Sequence, residues 1–308
     1  MSEAAEPEVH PDDVVPRHDC PIDGRSGFAV VDGDRQVHYL EWGPSTAPVV
    51  LCLHGGGQTA YMFEELGASL RDRYHVLAPD LPNHGDSDPL PADTPWGREA
   101  LAAAVLPFLD DFGVDRAAFV GASLGGLASL RLGAAHPGRM AALALIDVGH
   151  RLEAEGVQKI VDFMRAHDSF GSLEEAGAFI AEYLPYRRSF RPESLTRNLR
   201  QRADGRWIWK HGMGRRWNRA VEEAGGVPPP AVSVMEGVDD DARRIECPSL
   251  LLRGGTSDVL SGDAAVELVA IMRDARLAIV EKAGHLAAGD NPRSTSNLIS
   301  TFLDEISW

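Results

Sequence analysis

Short runs of apolar residues alternate along this chain with segments whose apolar residues recur at helical spacing. The apolar runs occupy residues 48–53, 74–78, 117–120 and 140–146, after two shorter β-like segments at 27–31 and 36–42. The segments with helical spacing are 59–71, 96–112 and 127–135. Strands that are apolar at nearly every position are typical of parallel sheets, because helices cover both faces of such a sheet. The pattern predicts an α/β fold with a doubly wound, mostly parallel sheet.

The alternation is interrupted once and resumes near residue 249. The intervening residues 149–234 are polar, aromatic and rich in arginine, and they lack apolar strand-like runs. We interpret them as a helical cap inserted between two parts of one sheet and refer to them as the insert. Residues 25–148 and 235–308 then form the core, which suits a chain of 308 residues with one large α/β domain.

Charge and composition disfavour several kinds of partner. Residues 1–24 are rich in Asp, Glu and Pro and are predicted to form a disordered acidic arm. The formal net charge of −16 argues against binding to nucleic acids or to anionic membranes. No run of about 18 apolar residues could span a membrane, and no secretory leader is recognisable. The three cysteines form no Cys-x-x-Cys pair. We predict a cytoplasmic protein that acts on a small molecule, and its oligomeric state stays open.

Polar residues follow the predicted strands at the points where they end. They are His54 to Gly57, Asp80, Ser123, Asp147, Asp258 and His285. Open α/β sheets bind ligands outside the carboxyl ends of their strands. These side chains are therefore predicted to gather into one site.

The stretch Gly121-Ala122-Ser123-Leu124-Gly125 lies between an apolar strand and a helical segment. A strand, a sharp turn and a helix would hold the central serine at a strained corner at the top of the sheet. Small residues on either side are needed because a β-carbon would collide with the adjoining helix or strand. The pattern predicts that Ser123 is a nucleophile.

A serine needs a base to take its proton and a carboxylate to orient that base. Two further strands are predicted after the insert, at 249–253 and 276–280. His285 is the predicted base, because it follows the last of them. Asp258 is the predicted acid, because it follows the preceding strand. Asp147, which follows an earlier strand, is the competing candidate for the acid.

The oxyanion that forms when a serine attacks a carbonyl also needs hydrogen-bond donors. The backbone N–H of Leu124, directly after the nucleophile, is one predicted donor. The glycine run after the third strand would supply the other, with Gly56 preferred and Gly57 next.

Together these motifs resemble the α/β-hydrolase fold superfamily over the chain from about residue 28 onward, apart from the insert. The matching motifs are His54-Gly55-Gly56-Gly57, Asp80-Leu81-Pro82-Asn83-His84-Gly85-Asp86-Ser87, Gly121 to Gly125, Asp258 and Ala283-Gly284-His285. Asn83 stands where a glycine is common in that family. The resemblance implies a cofactor-free serine hydrolase that acts through an acyl-enzyme. The substrate does not follow from the fold.

Other polar residues near the strand ends have plainer interpretations. We expect His54 to orient the oxyanion loop, His84 to be a loop residue and Asp80 to brace the loop that follows it. No histidine–carboxylate cluster has the spacing of metal ligands, so no metal is predicted.

The insert has two distinctive features. Trp207, Trp209 and Trp217 lie within 11 residues, and they form either the insert's own core or an aromatic wall over a substrate pocket. Between Arg187 and Arg219, ten arginines and one lysine outnumber two carboxylates by nine charges. Such a charge would attract an anionic substrate, unless it is solvated or paired with the acidic core.

The sequence predicts hydrolysis of carboxylic esters or lactones with a hydrophobic or ring-bearing group. Carbon–carbon bond hydrolysis of ring-fission products, or perhydrolase or lyase chemistry at the same site, is the alternative. A hydrolase-like receptor or scaffold without activity is the third hypothesis, which the full set of catalytic residues disfavours.

Overall fold

The computed structural model describes residues 21–91, 93–184, 191–214, 218–219, 222 and 235–308. Most of the predicted acidic arm, and Trp217, lie outside these residues. Ten strands are described: β1 (Arg25–Val31), β2 (Arg35–Trp42), β3 (Val49–Leu53), β4 (His75–Pro79), β5 (Ala117–Ala122), β6 (Met140–Ile146), β7 (Leu199–Gln201), β8 (Trp207–Trp209), β9 (Ser249–Gly254) and β10 (Ala275–Val280). The described α-helices are α1 (Glu64–Leu70), α2 (Arg98–Asp111), α3 (Leu124–Ala135), α4 (Ala154–Ala166), α5 (Leu173–Tyr183), α6 (Val238–Arg243), α7 (Gly262–Ile271), α8 (Ala287–Asp290) and α9 (Pro292–Leu303).

Eight strands form one sheet in the order β1-β2-β4-β3-β5-β6-β9-β10. The pairs from β4 through β10 are parallel, whereas β1 with β2 and β2 with β4 are antiparallel. The predicted α/β fold with a mostly parallel sheet is confirmed. The chain leaves and re-enters the sheet between β6 and β9, which are neighbours.

The continuous apolar runs are explained by two cores, one on each face of the sheet. Along β3, Leu51 and Leu53 belong to one cluster, whereas Val50 and Cys52 belong to the other. All four side chains are fully buried. Because successive residues of a strand point to opposite faces, a sheet covered on both sides needs an apolar residue at every position.

The described part of the insert contains α4, α5, a 3₁₀ helix at Pro192–Arg197 and the antiparallel pair β7 and β8. We predicted a helical cap, and beside its helices the described part also carries this short hairpin. The hairpin turns at Asp204-Gly205, where Gly205 has φ +82°. An Asp-Gly pair is a turn signal of β-hairpins, but only the strand after it, Trp207–Trp209, is apolar in sequence.

The insert has a hydrophobic cluster of its own. It contains Phe170, Ala176, Ile180, Leu184, Leu195, Leu199 and Trp209, and Leu286 of the core packs against it. The insert therefore contacts the loop that carries His285. In the described ranges, no helix is long and apolar enough to cross a bilayer.

Candidate active site

Ser123 lies between β5 and α3 with φ +45° and ψ −113°. This backbone conformation is rare for a residue with a β-carbon and costs on the order of 1–3 kcal/mol. A β-carbon on Gly121 would lie 2.7 Å from the carbonyl oxygen of Gly125, and one on Gly125 would lie 2.1 Å from that of Leu53. The strained turn therefore depends on glycine at both flanking positions, as the sequence predicts.

The structure pairs His285 with Asp147. Nδ1 of His285 lies 2.8 Å from Oδ2 of Asp147. The same carboxylate accepts hydrogen bonds from Ser257 Oγ at 2.6 Å and from the backbone N–H of Gly254 at 2.8 Å. Asp147 is fully buried. Three donors thus hold this carboxylate, and it fixes the Nδ1–H tautomer of His285, with Nε2 left to accept a proton.

The prediction that Asp258 orients His285 is corrected by this geometry. Asp258 is about half exposed, and its Oδ2 forms an ion pair at 2.8 Å with Nζ of Lys159 on α4. Its carboxylate is oriented toward the insert. Asp147 also follows a strand end, but its φ of +48° turns it toward His285.

The loop that carries His285 packs tightly on the end of β9. A β-carbon on Gly254 would lie 2.1 Å from the carbonyl oxygen of Gly284, so only glycine permits this approach. On the other side, Asp290 Oδ2 accepts a hydrogen bond from the Gly284 N–H at 3.0 Å. These contacts explain how a residue 138 positions after Asp147 reaches it.

The predicted oxyanion donors lie beside the elbow, as we call the tight turn at Gly121 to Gly125 that carries Ser123. A β-carbon on Gly55 would lie 3.5 Å from Cβ of Ser123, and one on Gly56 would lie 3.7 Å from Leu124. Leu124 is the first residue of α3, so its backbone N–H has no hydrogen-bond acceptor within the helix. Within the described part of the chain, no group accepts a hydrogen bond from Gly56 N–H. Gly57, the second choice, donates its N–H to Nε2 of His84 at 3.2 Å instead.

His54 and His84 hold the glycine turn at residues 55–57, and Asp80 holds the chain just after it. We expected structural roles for all three. His54 Nδ1 lies 2.8 Å from the carbonyl oxygen of Gly55, while its Nε2 accepts the N–H of Leu81. Asp80 accepts the N–H of Ala60 and contacts His38 Nδ1 at 2.7 Å. Burial alone would raise the pKa of Asp80, but the hydrogen bond to His38, with the nearby imidazoles, lowers it instead.

Side chains of the insert lie over this turn. A β-carbon on Gly57 would lie 3.2 Å from Met164 Sδ and 3.5 Å from His211 Nε2, and one on Gly56 would lie 3.7 Å from Met213 Cε. Sequence reasoning missed all three insert residues, because single methionines and histidines give no positional signal.

The predicted aromatic wall lies behind these residues. Trp209 is 6% exposed and belongs to the insert's own core, where its ring meets Phe170 edge-on at 5.4 Å. Trp207 packs on the same cluster. The other face of Trp209 stacks on His211 at 5.4 Å. Both tryptophans therefore belong to the core of the insert, and Trp209 also contacts His211, one of the residues that cover the turn.

Ion pairs with carboxylates of the core neutralise part of the positive charge of the insert. Arg197 makes a two-pronged contact with Glu64, and Lys210 Nζ lies 2.6 Å from Asp86 Oδ2. The other described arginines of the excess are exposed: Arg191, Arg200, Arg202, Arg206 and Arg219. Four more, Arg187, Arg188, Arg215 and Arg216, lie outside the described residues. The described part of the insert thus favours the paired and solvated interpretation over an anionic-substrate site.

A metal centre has no candidate in the ranges that the structure covers, where no group of three or more His, Cys, Asp or Glu side chains is arranged to hold an ion.

Comparisons with known proteins agree with this fold. A family model described as "alpha/beta hydrolase fold" matches residues 48–292. Esterase Rv0045c of Mycobacterium tuberculosis is 30% identical over 274 residues, which cover 86% of this chain and 85% of the esterase. A 2-hydroxy-6-oxo-6-phenylhexa-2,4-dienoate hydrolase of Burkholderia cepacia is 26% identical and covers 87% of this chain and 91% of its own length.

Solved structures show the same architecture. The crystal structure of esterase Rv0045c superposes with a TM-score of 0.72 at 26% identity and covers 91% of each chain. E-2-(acetamidomethylene)succinate hydrolase superposes with a TM-score of 0.76 at 22% identity, covering 91% of this chain and 99% of that one. The second likeness concerns the fold alone.

Proposed function

The chain belongs to the α/β-hydrolase fold family, and from this premise we propose that it hydrolyses carboxylic esters, including lactones, with Ser123 as nucleophile, His285 as base and Asp147 as the orienting acid. The observation that carries the proposal is the 2.8 Å contact between His285 Nδ1 and the buried Asp147, together with a serine held in a strained turn directly after β5. The esterase relative supports ester hydrolysis.

The proposed reaction follows from these positions. Ser123 Oγ attacks the ester carbonyl and passes its proton to Nε2 of His285. The amides of Gly56 and Leu124 hold the negative oxygen of the tetrahedral intermediate. His285 then protonates the departing alkoxide. Water attacks the acyl-enzyme, its proton goes to His285, and the acid is released as Ser123 regains its proton.

The substrate is proposed to be largely apolar. The side chains that meet the glycine turn from above include Met164 and Met213, whose flexible thioethers adapt to varied apolar shapes. His211 is the polar group among them. A hydrophobic acyl or alkoxy group would fit this surface better than an extended anion would.

Carbon–carbon bond hydrolysis is the second candidate. It is favoured by the likeness to the dienoate hydrolase of Burkholderia cepacia, which spans 87% of this chain. The same serine, base and acid would serve, but the leaving group would be a carbanion that needs protonation at carbon. His211, beside the turn, is the described polar side chain that could orient such a substrate.

A substrate panel tests the two candidates together. Short and long p-nitrophenyl esters, lactones and a dienoate ring-fission product would be assayed with wild-type protein and with Ser123→Ala. The proposal expects ester turnover that the substitution reduces by at least about 10³-fold. Ester turnover that survives in Ser123→Ala would contradict it, and turnover of the dienoate alone would select the second candidate.

A further inference from the structure

We propose that His84 is a positioning residue for the oxyanion hole, which it keeps in shape by accepting the N–H of Gly57 as a neutral Nδ1–H tautomer. The inference rests on the proposed function, since an oxyanion hole matters only for a serine hydrolase. It gives a role in turnover to a residue that the sequence indicated only as part of a loop.

The hydrogen bonds of His84 define one protonation state. Nε2 lies 3.2 Å from the backbone nitrogen of Gly57, which can only donate, so Nε2 must be unprotonated. Nδ1 lies 3.0 Å from the carbonyl oxygen of Pro82, which can only accept, so Nδ1 must carry the proton. The imidazole therefore links the loop after β4 to the glycine turn after β3. An imidazolium carries a proton on both ring nitrogens, so it could not accept the N–H of Gly57.

The surroundings of His84 maintain that neutral state. Its side chain is fully buried, and its ring lies 5.1 Å from His54 and 6.2 Å from His211, measured between centroids. Burial, followed by these two imidazoles, lowers the pKa of His84 to about 3, against the weaker opposing effects of the hydrogen bond to Pro82 and of Asp80. Across the neutral pH range the ring remains an acceptor for Gly57.

The contact with Gly57 decides which amide faces the substrate. Gly57 has φ +75°, so its N–H points away from the direction that an extended backbone would give it. The Gly55 carbonyl is bonded to His54 and the Gly57 N–H to His84, so the peptide units on both sides of Gly56 are held. Gly56 N–H is left as the amide of the turn that can meet an oxyanion. A shift of about 1 Å in such a donor can cost about 10²-fold in rate.

Two conservative substitutions separate the two bonds of His84. In His84→Gln, the side-chain oxygen can reach the position of Nε2 and accept the N–H of Gly57. In His84→Asn, the shorter amide can reach only the position of Nδ1 and donate to Pro82. Neither variant alters a residue that contacts the substrate in the proposed reaction. Hydrolysis of p-nitrophenyl butyrate would be measured for both, together with thermal melting and the rate of labelling by a fluorophosphonate.

The inference expects His84→Asn to lower kcat by about 10-fold to 100-fold with KM changed less than about threefold, and His84→Gln to retain most of kcat. Labelling should slow in parallel, because the phosphonyl oxygen uses the same donors. In wild-type protein, ¹⁵N chemical shifts should show His84 protonated at Nδ1 and not at Nε2 from pH 5 to 9.

The outcomes distinguish the inference from the proposed function. Equal kcat in both variants, a loss that follows melting temperature alone, or a protonated Nε2 would overturn the role of His84 while leaving the hydrolase intact. Wild-type protein that neither hydrolyses the ester nor reacts with the fluorophosphonate would overturn the proposed function, and the inference with it.

Discussion

At the scale of single residues, the site depends on buried groups that are held by their hydrogen-bond partners. Asp147 is held by Ser257, Gly254 and His285. His84 is held as an acceptor by Gly57 and Pro82. Because these groups are out of contact with water, a wrong protonation state leaves a buried donor or acceptor unpaired, which costs on the order of 1–3 kcal/mol.

The neutral state of His84 predicts a pH dependence of stability. Its pKa of about 3 in the folded protein lies below the value of an unfolded histidine. The unfolded chain therefore binds the proton first, so this contribution is complete above about pH 6.5 and is lost as the pH falls toward 3. Between about pH 6.5 and 5, His84→Gln should reduce the slope of unfolding free energy against pH by up to about 1.4 kcal/mol per unit. Urea titrations at several pH values would measure it, and identical slopes would contradict it.

Individual roles were predicted unevenly from the sequence. Ser123 and His285 were predicted from their local motifs as nucleophile and base, and the structure places each after the end of a strand. The choice between Asp147 and Asp258 could not be made from the chain, because both follow strand ends at plausible distances. The choice of Asp147 depends on its positive φ and on hydrogen-bond donors to its carboxylate that lie more than 100 positions further along the chain. His84 was recognised only as a loop residue, since its role needs the Gly57 contact.

At the scale of elements, the elbow joins β5 to α3 where β3 passes beneath it. Gly125 allows this contact, because any β-carbon there would lie 2.1 Å from the carbonyl oxygen of Leu53. The backbone of β3, its glycine turn and the start of α3 therefore fit together as one unit. Both predicted oxyanion donors belong to that unit.

Gly125→Ala should therefore damage stability and turnover together. The added methyl group meets main-chain atoms that cannot move independently, and we expect a loss of at least about 1–3 kcal/mol. Gly262→Ala at the start of α7 is the matched control, because a β-carbon there meets nothing within 4 Å. Thermal melting should show a clear drop for the first variant and no loss for the control. A Gly125→Ala protein as stable as wild type would show that β3 and the elbow are not in close contact.

The elements of the sheet were easier to predict than those of the insert. The central parallel strands of the sheet show in the sequence because burial on two faces leaves a continuous apolar run, as at 140–146. The hairpin of β7 and β8 has strands of three residues each, stabilised by packing within the insert, so its apolar pattern is too short to identify. Gly205 at its turn was the available signal.

At the scale of the whole molecule, the insert is held on the core by charge as well as by apolar contact. Arg197 reaches Glu64 on α1, whose side chain is 8% exposed and also accepts the N–H of Ile22. Lys159 reaches Asp258 at a pair that is largely exposed on both sides. The sequence showed the charge imbalance between insert and core, but only the structure shows where it is neutralised.

Arg197→Met should weaken the protein more than Lys159→Met. Removing Arg197 leaves a carboxylate buried without its cation, which should cost about 1–3 kcal/mol, whereas water replaces Lys159 at its exposed partner. Chemical denaturation of both variants would test the difference. Equal midpoints would contradict the view that the buried pair anchors the insert.

Whether Asp147 or Asp258 orients His285 can be decided by measuring kcat/KM of Asp147→Asn and Asp258→Asn on the best ester of the panel. Asn at position 147 would offer an N–H in place of a carboxylate oxygen to Nδ1 of His285, so we expect a loss of about 10³-fold to 10⁴-fold. Asp258→Asn should stay within about threefold of wild type, because it removes an exposed ion pair. A large loss in Asp258→Asn with near wild-type activity in Asp147→Asn would show that Asp258, and not Asp147, orients His285.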